Sequence, residues 1–244
     1  MKIIIAPSKT QIFTIDLGSE YMANLSKKSR FLFLKLKLLT KNKLGKSLNI
    51  KKNLLDKTFN LYQKNFLLMP KCYAINCYKG VVFEQLDINN YNLKELDYLN
   101  KHLVILSAMY GVIEPSNIIY PYRLDMNNKI PNVNLYKYWQ EEIDNHFKDE
   151  SIIINLASDE YSKMLKNQKD KIINIEFVEG TKTNYKKIKS YNSKKARGMM
   201  LNYMIENRIE NLEELQKYNL SESQYNKEIS DNNTLRFLKI TDTI

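Results

Sequence analysis

Three short apolar runs constrain the fold of this chain more than any other feature of its sequence. They occupy residues 3–6, 103–106 and 152–156 and consist almost entirely of isoleucine, leucine and valine. A continuous apolar run of this length is typical of a strand that is buried on both faces, as in a parallel sheet covered by helices. Because helical patterns separate the runs, we predict an α/β fold with a central sheet.

Each of the three runs passes directly into a group of polar residues. Ligands of open α/β sheets bind outside the carboxyl ends of the strands, so three parallel neighbours would place these groups on one rim. Taken singly, each group has a simpler interpretation. Ser158 before two acidic residues is a good helix N-cap, and the group that contains Ser107 and Tyr110 resembles a turn. Three groups together favour a cleft. The residues are Ser8, Lys9 and Thr10, then Ser107 and Tyr110, then Asn155, Ser158, Asp159 and Tyr161.

The remaining elements follow from periodicity. We predict helices within residues 21–68, at 135–147 around Trp139, and at 212–217. Residues 44–55 are interpreted as two short helices joined by a tight turn near Asn49. Residues 73–78 are predicted to be extended, residues 171–178 and 185–191 to form a pair of strands, and residues 235–240 to form the last strand.

A basic helix is predicted after residue 191. Asn192 or Ser193 would cap it, which places Lys194, Lys195 and Arg197 near its first turn. Cations oppose the helix dipole there, whereas unpaired backbone N–H groups and cations together suit a phosphate. The alternative is an ordinary solvated basic face, and the unfavourable placement of charge leads us to prefer an anion site.

A fourth polar group contains Arg123 and Asp125. If the segment is extended, both side chains point to the same side. They form either a simple surface ion pair or a site in which Arg123 binds an anionic or amide group and Asp125 orients it.

The charge of the chain suggests an acidic partner. The formal net charge is +11 and the isoelectric point is about 9.3, as in many proteins that bind nucleic acid. Abundant Lys, Asn and Ile would also result from an AT-rich genome. No apolar run is long enough to span a bilayer or to act as a signal peptide, so we expect a cytoplasmic protein that does not associate with membranes.

Cysteine and histidine supply no recognisable metal site. Cys72, Cys77, His102 and His146 lack the spacing of known ligand sets, so we predict neither a metal nor a cofactor. The two cysteines are interpreted as buried or incidental side chains, with a redox switch as the alternative.

Seven segments together resemble the signature blocks of the YaaA family of peroxide stress proteins. The blocks occur in the family's order and extend over nearly the whole chain. They are PSKT (7–10), YKG (78–80), LSAMYGVIEP (106–115), PYRLDM (121–126), YW (138–139), INLASDEY (154–161) and KKARGMM (194–200).

The resemblance implies one YaaA-like domain over residues 1–244, with the α/β fold described as cantaloupe-like. It also implies a positively charged cleft, binding of duplex and branched DNA, and a role in the hydrogen peroxide response that limits free iron and Fenton damage. The family's helix-hairpin-helix element would fall in a helical insertion at about residues 21–68. Its turn here lacks glycines, so Asn49 would adopt the left-handed geometry and Lys46, Lys51 and Lys52 would supply charge.

Two functions are compatible with these residues. In the first, Lys194, Lys195, Arg197 and the hairpin lysines bind the phosphates of duplex, bulged or branched DNA without reading bases, together with Lys9 and Arg123. In the second, the cleft is an enzyme site for a nucleobase, nucleoside or nucleotide, with N-glycosidase-like chemistry at Asp159, Asn155 or Asp125. The sequence contains no Walker motif, zinc-protease motif or nucleophile elbow, so it names no reaction. It does not indicate the oligomeric state.

Overall fold

A computed structural model describes residues 1–13, 17, 25–65 and 68–241 of the chain, and of Ser190 only the backbone. Two parts of the predicted insertion, residues 21–24 and 66–67, lie outside the described residues.

The helices are α1 (Lys27–Lys37), α2 (Lys41–Leu48), α3 (Lys52–Gln63), α4 (Ala74–Cys77), α5 (Leu93–His102), α6 (Leu135–Phe147), α7 (Asp159–Ser162), α8 (Ser190–Glu206) and α9 (Leu212–Leu215). Short 3-10 segments occupy Phe83–Gln85 and Lys163–Lys171.

The strands form one large mixed sheet and two small pairs. They are β1 (Lys2–Ile5), β2 (Thr10–Gln11), β3 (Cys72–Tyr73), β4 (Tyr78–Lys79), β5 (Leu103–Ser107), β6 (Gly111–Ile113), β7 (Ile118–Ile119), β8 (Ile153–Asn155), β9 (Ile172–Gly180), β10 (Tyr185–Lys187), β11 (Asn219–Leu220), β12 (Ser223–Tyr225) and β13 (Thr234–Ile240). The large sheet runs β11-β12-β13-β9-β8-β1-β5-β6, and β10 pairs with β9. Strand β2 pairs with β4, and β3 pairs with β7.

The three apolar runs are adjacent parallel strands, as predicted. Strand β1 pairs in parallel with β5 on one side and with β8 on the other, and β9 and β13 continue the parallel arrangement. All three runs are buried except at Ala6 and Ile152, which are partly exposed. Their polar groups therefore follow the same edge of the sheet. The prediction of an α/β fold with a central mixed sheet is confirmed.

The two short helices and the tight turn predicted near Asn49 are also confirmed. Asn49 ends α2 in the left-handed conformation, with φ 53° and ψ 47°, and α3 begins at Lys52. A Cβ on Gly45 would approach a Leu55 methyl group to 3.0 Å, so the glycine lets the two helices cross closely. Ile50 is buried between them and donates its N–H to the Gly45 carbonyl at 3.0 Å.

Two sequence-based predictions of secondary structure are wrong. Residues 74–77 form the helical turn α4 between β3 and β4, because one turn is too short to produce a helical period. Helix α8 begins at Ser190, not after Asn192 or Ser193, and its N-cap residue Lys189 makes no side-chain capping hydrogen bond. Lys194, Lys195 and Arg197 are therefore the fifth, sixth and eighth residues of the helix and lie beyond its first turn.

Candidate nucleic-acid interface

Strand β1 leads into the first part of the rim. Ser8 accepts the backbone N–H of Thr10 at 3.1 Å and donates its hydroxyl to the carbonyl of Lys79, which fixes the turn after the strand. Gly80 lies directly beneath, where a Cβ would be 2.8 Å from Ser8 Oγ. The turn leaves Lys9 and Thr10 exposed.

Lys9, Arg123 and Asp125 come together on this rim. The Lys9 ammonium lies 3.0 Å from Oδ2 of Asp125, and Arg123 Nη1 donates to the Lys9 carbonyl at 3.3 Å. The ion pair of this cluster therefore joins Asp125 to Lys9, and Arg123 contacts the backbone of the same turn. The three residues form a mixed-charge edge with two cations.

A layer of tyrosines supports the rim from below. Tyr122 shares hydrogen bonds with Tyr78 Oη at 2.7 Å and with Ser107 Oγ at 3.0 Å, and all three residues are buried. Burial raises the pKa of Tyr122 to about 12 and that of Tyr78 well above its ordinary value. These phenols therefore stay neutral and act as hydrogen-bonding groups.

Among the predicted rim residues, Ser107 and Asn155 are buried, and so are the two tyrosines, Tyr110 and Tyr161. The Tyr110 hydroxyl donates to the Tyr120 carbonyl at 3.2 Å and accepts the Tyr120 N–H at 2.9 Å. Burial raises the pKa of both side chains. Ser158 is the N-cap residue of α7, but its side chain makes no capping hydrogen bond.

A pocket of about 190 Å³ opens beside this rim, between the end of β8, strand β9 and helix α8. Asn155 and Asn174 are register partners on β8 and β9, and the Asn155 amide donates to Asn174 Oδ1 at 2.8 Å. Asn155 Oδ1 also accepts the Ala157 N–H at 2.9 Å. Both ends of the Asn155 amide are therefore occupied. The charged residues of the lining are Asp159, Glu176, Lys187 and Arg197.

Helix α8 separates its three cations in space. Lys194 and Lys195 are exposed, whereas Arg197 is partly buried and lines the pocket. Burial lowers the pKa of Arg197, and the nearby carboxylates of Asp159 and Glu176 raise it. Gly198 holds the helix against residues 82–85, because a Cβ there would lie 2.5 Å from the Val82 carbonyl oxygen.

The excess positive charge of the chain is concentrated in α1, α2 and α3. Residues 27–64 contain 12 of the 38 lysines and arginines but only one of the 27 acidic residues, Asp56. Their formal charge of +11 equals that of the whole chain, and the other residues carry 26 charges of each sign. Within this segment, Lys28 and Lys41 form ion pairs with described residues, and the hairpin lysines Lys46, Lys51 and Lys52 are exposed.

Residues 121–129 connect the basic helices to the rim and the pocket. On one side, Lys129 N–H donates to the Ser47 carbonyl at 3.0 Å, and Tyr62 Oη donates to the Arg123 carbonyl at 2.8 Å. On the other side, Asn127 N–H donates to Glu160 Oε1 at 3.0 Å, next to Asp159. The hairpin, the rim and the pocket are thus parts of one connected structure.

Sequence reasoning missed two contributors to this region. Asn174, Glu176 and Lys187 line the pocket, but they belong to strands whose alternating pattern indicates only an exposed face. The concentration of charge in residues 27–64 was visible by counting acidic as well as basic residues along the chain.

The cysteines lie beside the rim, because the carbonyl of Cys77 accepts the N–H of Ile12 at 2.9 Å. Cys72 and Cys77 are buried and joined by a disulfide, with a Cα–Cα distance of 6.0 Å, and a redox role stays a prediction. In the described part of the chain, no group of three or more His, Cys, Asp or Glu side chains is placed to hold a metal. Among the helices that the structure describes, none has the length and apolar character needed to cross a bilayer.

The chain is similar to a family of bacterial proteins over nearly its whole length. A sequence model described as "Peroxide stress protein YaaA" matches residues 1–229. The UPF0246 protein FN1762 of Fusobacterium nucleatum is 37% identical over 251 residues, which cover 98% of this chain and 99% of that protein. A UPF0246 protein of Finegoldia magna is 39% identical over 188 residues, or 75% of each chain. A UPF0246 protein of Francisella philomiragia is 32% identical over 255 residues, which cover 98% of this chain and 100% of that protein.

Proposed function

Because the chain belongs to the YaaA family of peroxide stress proteins, we propose that it binds DNA through the basic helices α1–α3 and the adjoining rim. The observation that carries this proposal is the segregation of charge. A segment of 38 residues holds the whole net charge of the chain, and most of its cations have no acidic partner among the described residues. Clustered, unneutralised Lys and Arg are the usual electrostatic signature of a surface that binds phosphates.

The helices α2 and α3 would act as a helix-hairpin-helix element within a single YaaA-like domain of the cantaloupe-like type. The first N–H groups of α3 have no partner within their own helix, and the N-cap residue Lys51 provides no side-chain cap. A phosphate at this position would accept from backbone N–H groups, with the ammonium groups of Lys46, Lys51 and Lys52 nearby. Lys9, Arg123, Lys194 and Lys195 would contact phosphates farther along the same duplex.

Binding of this kind reads the backbone and the shape of DNA more than its base sequence. Lysine dominates the segment, whereas readout of base edges relies on Arg, Asn and Gln in a groove. We therefore expect duplex, bulged and branched DNA to bind, in the cytoplasm, during peroxide stress. Coverage or recruitment at damaged DNA would limit oxidative damage, and any effect on iron and Fenton chemistry would be indirect.

The test is equilibrium binding of labelled duplex, single-base-bulge and four-way-junction DNA over a series of salt concentrations. The logarithm of affinity should fall linearly with the logarithm of salt concentration, by about 0.9 for each phosphate neutralised. Absence of binding at low salt, or binding that does not respond to salt, would contradict the proposal.

A second function, hydrolysis of an N-glycosidic bond, has one observation in its favour. Of the three carboxylate or amide candidates, Asn155 and Asp125 are engaged with neighbours, whereas Asp159 has no hydrogen-bond or ion-pair partner among the described residues. A free carboxylate beside a pocket suits a general base. It would take a proton from the water that attacks C1′, the N-glycosidic bond would break, and the nucleobase would leave with that proton on its ring nitrogen. Release of free base from DNA or nucleosides, abolished in D159N, would support it; no release from any of the four bases would exclude it.

A further inference from the structure

The pocket beside the rim has room for a ligand of the size of one heterocyclic base. Its volume is about 190 Å³. Pockets for drug-sized ligands begin at ~300 Å³. Ile175, Phe177 and Ile188 contribute apolar atoms to a lining that is mainly polar. A small pocket lined by several hydrogen-bonding groups suits a polar heterocycle.

The charges that line the pocket are balanced, which disfavours a phosphate. Asp159 and Glu176 provide two carboxylates, and Lys187 and Arg197 provide two cations. Glu176 is neutralised within the protein, because Lys187 Nζ lies 2.5 Å from Oε1 and Arg236 Nε lies 3.1 Å from Oε2. Asp159 and Arg197 are therefore the two charged residues of the lining that form no ion pair with a described residue.

Arg197 and Asp159 present complementary recognition groups. The guanidinium is always charged and offers donors in a fixed fork, and its partial burial makes unsatisfied N–H groups costly. The Asp159 carboxylate offers two acceptor oxygens at the exposed side of the pocket. Asp159 and Arg197 line the same pocket and form no ion pair with each other, so both are available to a ligand.

We propose that this pocket binds a guanine base turned out of DNA that is held on the basic helices. Among the four bases, guanine alone has one edge with two acceptors, O6 and N7, and another with two donors, N1–H and N2–H. Arg197 pairs with the acceptor edge and Asp159 with the donor edge. This inference rests on the proposed DNA binding, which brings the base to the pocket.

The connected structure places DNA and pocket within reach of each other. Lys129 contacts Ser47 in the hairpin, and Asn127, two residues earlier, contacts Glu160 beside Asp159, so a duplex on α2 and α3 would lie near the pocket. Extruding a base costs a few kcal/mol and least for an unpaired one. A bulged guanine is therefore the substrate with which to detect the site.

The experiment compares duplexes that differ only in one bulged nucleotide. Bulged guanine should bind about tenfold tighter than bulged adenine, cytosine or thymine, within the range that bidentate base contacts give. Inosine, which lacks the N2 amino group, and 7-deazaguanine, which lacks N7, should each lose most of this preference. These two analogues test both contacts on the unaltered protein, so the result does not depend on the folding of a variant.

Variants then locate the preference on the protein. R197K keeps the charge but removes the bidentate fork, and D159N replaces an acceptor by a donor; both should abolish the guanine preference and retain binding of fully paired duplex. R208K and D170N change exposed residues outside the pocket lining and should retain the preference.

The outcomes separate this inference from the proposed function. Equal binding of all four bulges, with tight binding of paired duplex, would overturn the guanine site and leave DNA binding intact. A guanine preference that persists in both R197K and D159N would also overturn it. Failure to bind any DNA would overturn the proposed function first, and with it the guanine site.

Discussion

The ammonium group of Lys9 lies 3.0 Å from Oδ2 of Asp125, and this ion pair joins the turn after strand β1 to residues 121–129. The lysine side chain is 61% exposed and that of Asp125 is 16% exposed. An ion pair open to solvent contributes little to stability, typically ~0–1 kcal/mol. Lys9 is therefore free to exchange its partner for a phosphate.

The substitution K9A should separate stability from binding. We expect the free energy of unfolding in urea to change by less than about 1 kcal/mol, while the affinity for duplex DNA falls. K148A, which removes another exposed lysine paired with a neighbouring acid, is the matched control and should leave both quantities unchanged. A large loss of stability in K9A would mean that the pair is structural.

The substitution Y122F should destabilise the protein at the rim, because Tyr122 belongs to the tyrosine layer that supports it. It removes a buried hydroxyl that shares hydrogen bonds with Tyr78 and Ser107, so we expect a loss of about 1–3 kcal/mol in unfolding free energy. Y191F, at a position that is 60% exposed, should have no measurable effect. Unchanged stability of Y122F would show that the tyrosine layer is not held by these hydrogen bonds.

The pH dependence of stability should include a contribution from both histidines. Burial lowers the pKa of His102 and of His146 in the folded state. Below their ordinary pKa of about 6.5 the unfolded chain binds more protons, so stability falls as the pH drops from about 7 through the folded pKa values. Urea unfolding at pH 5 to 8 measures this effect.

Asparagine variants isolate the histidine contribution. In H102N the new amide can still donate to the Met1 carbonyl, which His102 Nδ1 contacts at 2.8 Å. The double variant H102N/H146N should lose less stability than the unaltered protein between pH 7.5 and 5.5. Identical losses would show that other groups, such as carboxylates, account for the whole effect.

The fold was predictable where local sequence and tertiary position agree. The strands containing Ile4, Val104 and Ile154 are continuous apolar runs because they are buried in the parallel part of the sheet, and Asn49 tolerates the left-handed turn that it adopts. The start of α8 was not predictable from capping preference. Helix α8 begins after Lys189, whose side chain makes no capping hydrogen bond, and Gly198 packs the helix against the Val82 carbonyl, a contact across more than a hundred residues.

The candidate site was predictable only in part, for a similar reason. Lys9, Arg123 and Asp125 were recognised as polar residues after or between buried segments, and the structure brings them together. The pocket depends on register: Asn174 lies opposite Asn155 because β9 pairs with β8, and Glu176 follows two residues later on the same face. Pairing between distant strands is not encoded in any one of them.

The most direct test of the account concerns the hairpin lysines. Replacing Lys46, Lys51 and Lys52 together by alanine should weaken duplex DNA binding and make its log–log salt slope shallower by about 2.7, at ~0.9 for each lost phosphate contact. The matched control replaces three exposed lysines outside the basic helices, Lys94, Lys169 and Lys217, and removes the same net charge. The account predicts that the hairpin variant alone changes the slope. An unchanged slope, or an equal change in both variants, would contradict DNA binding through helices α1–α3.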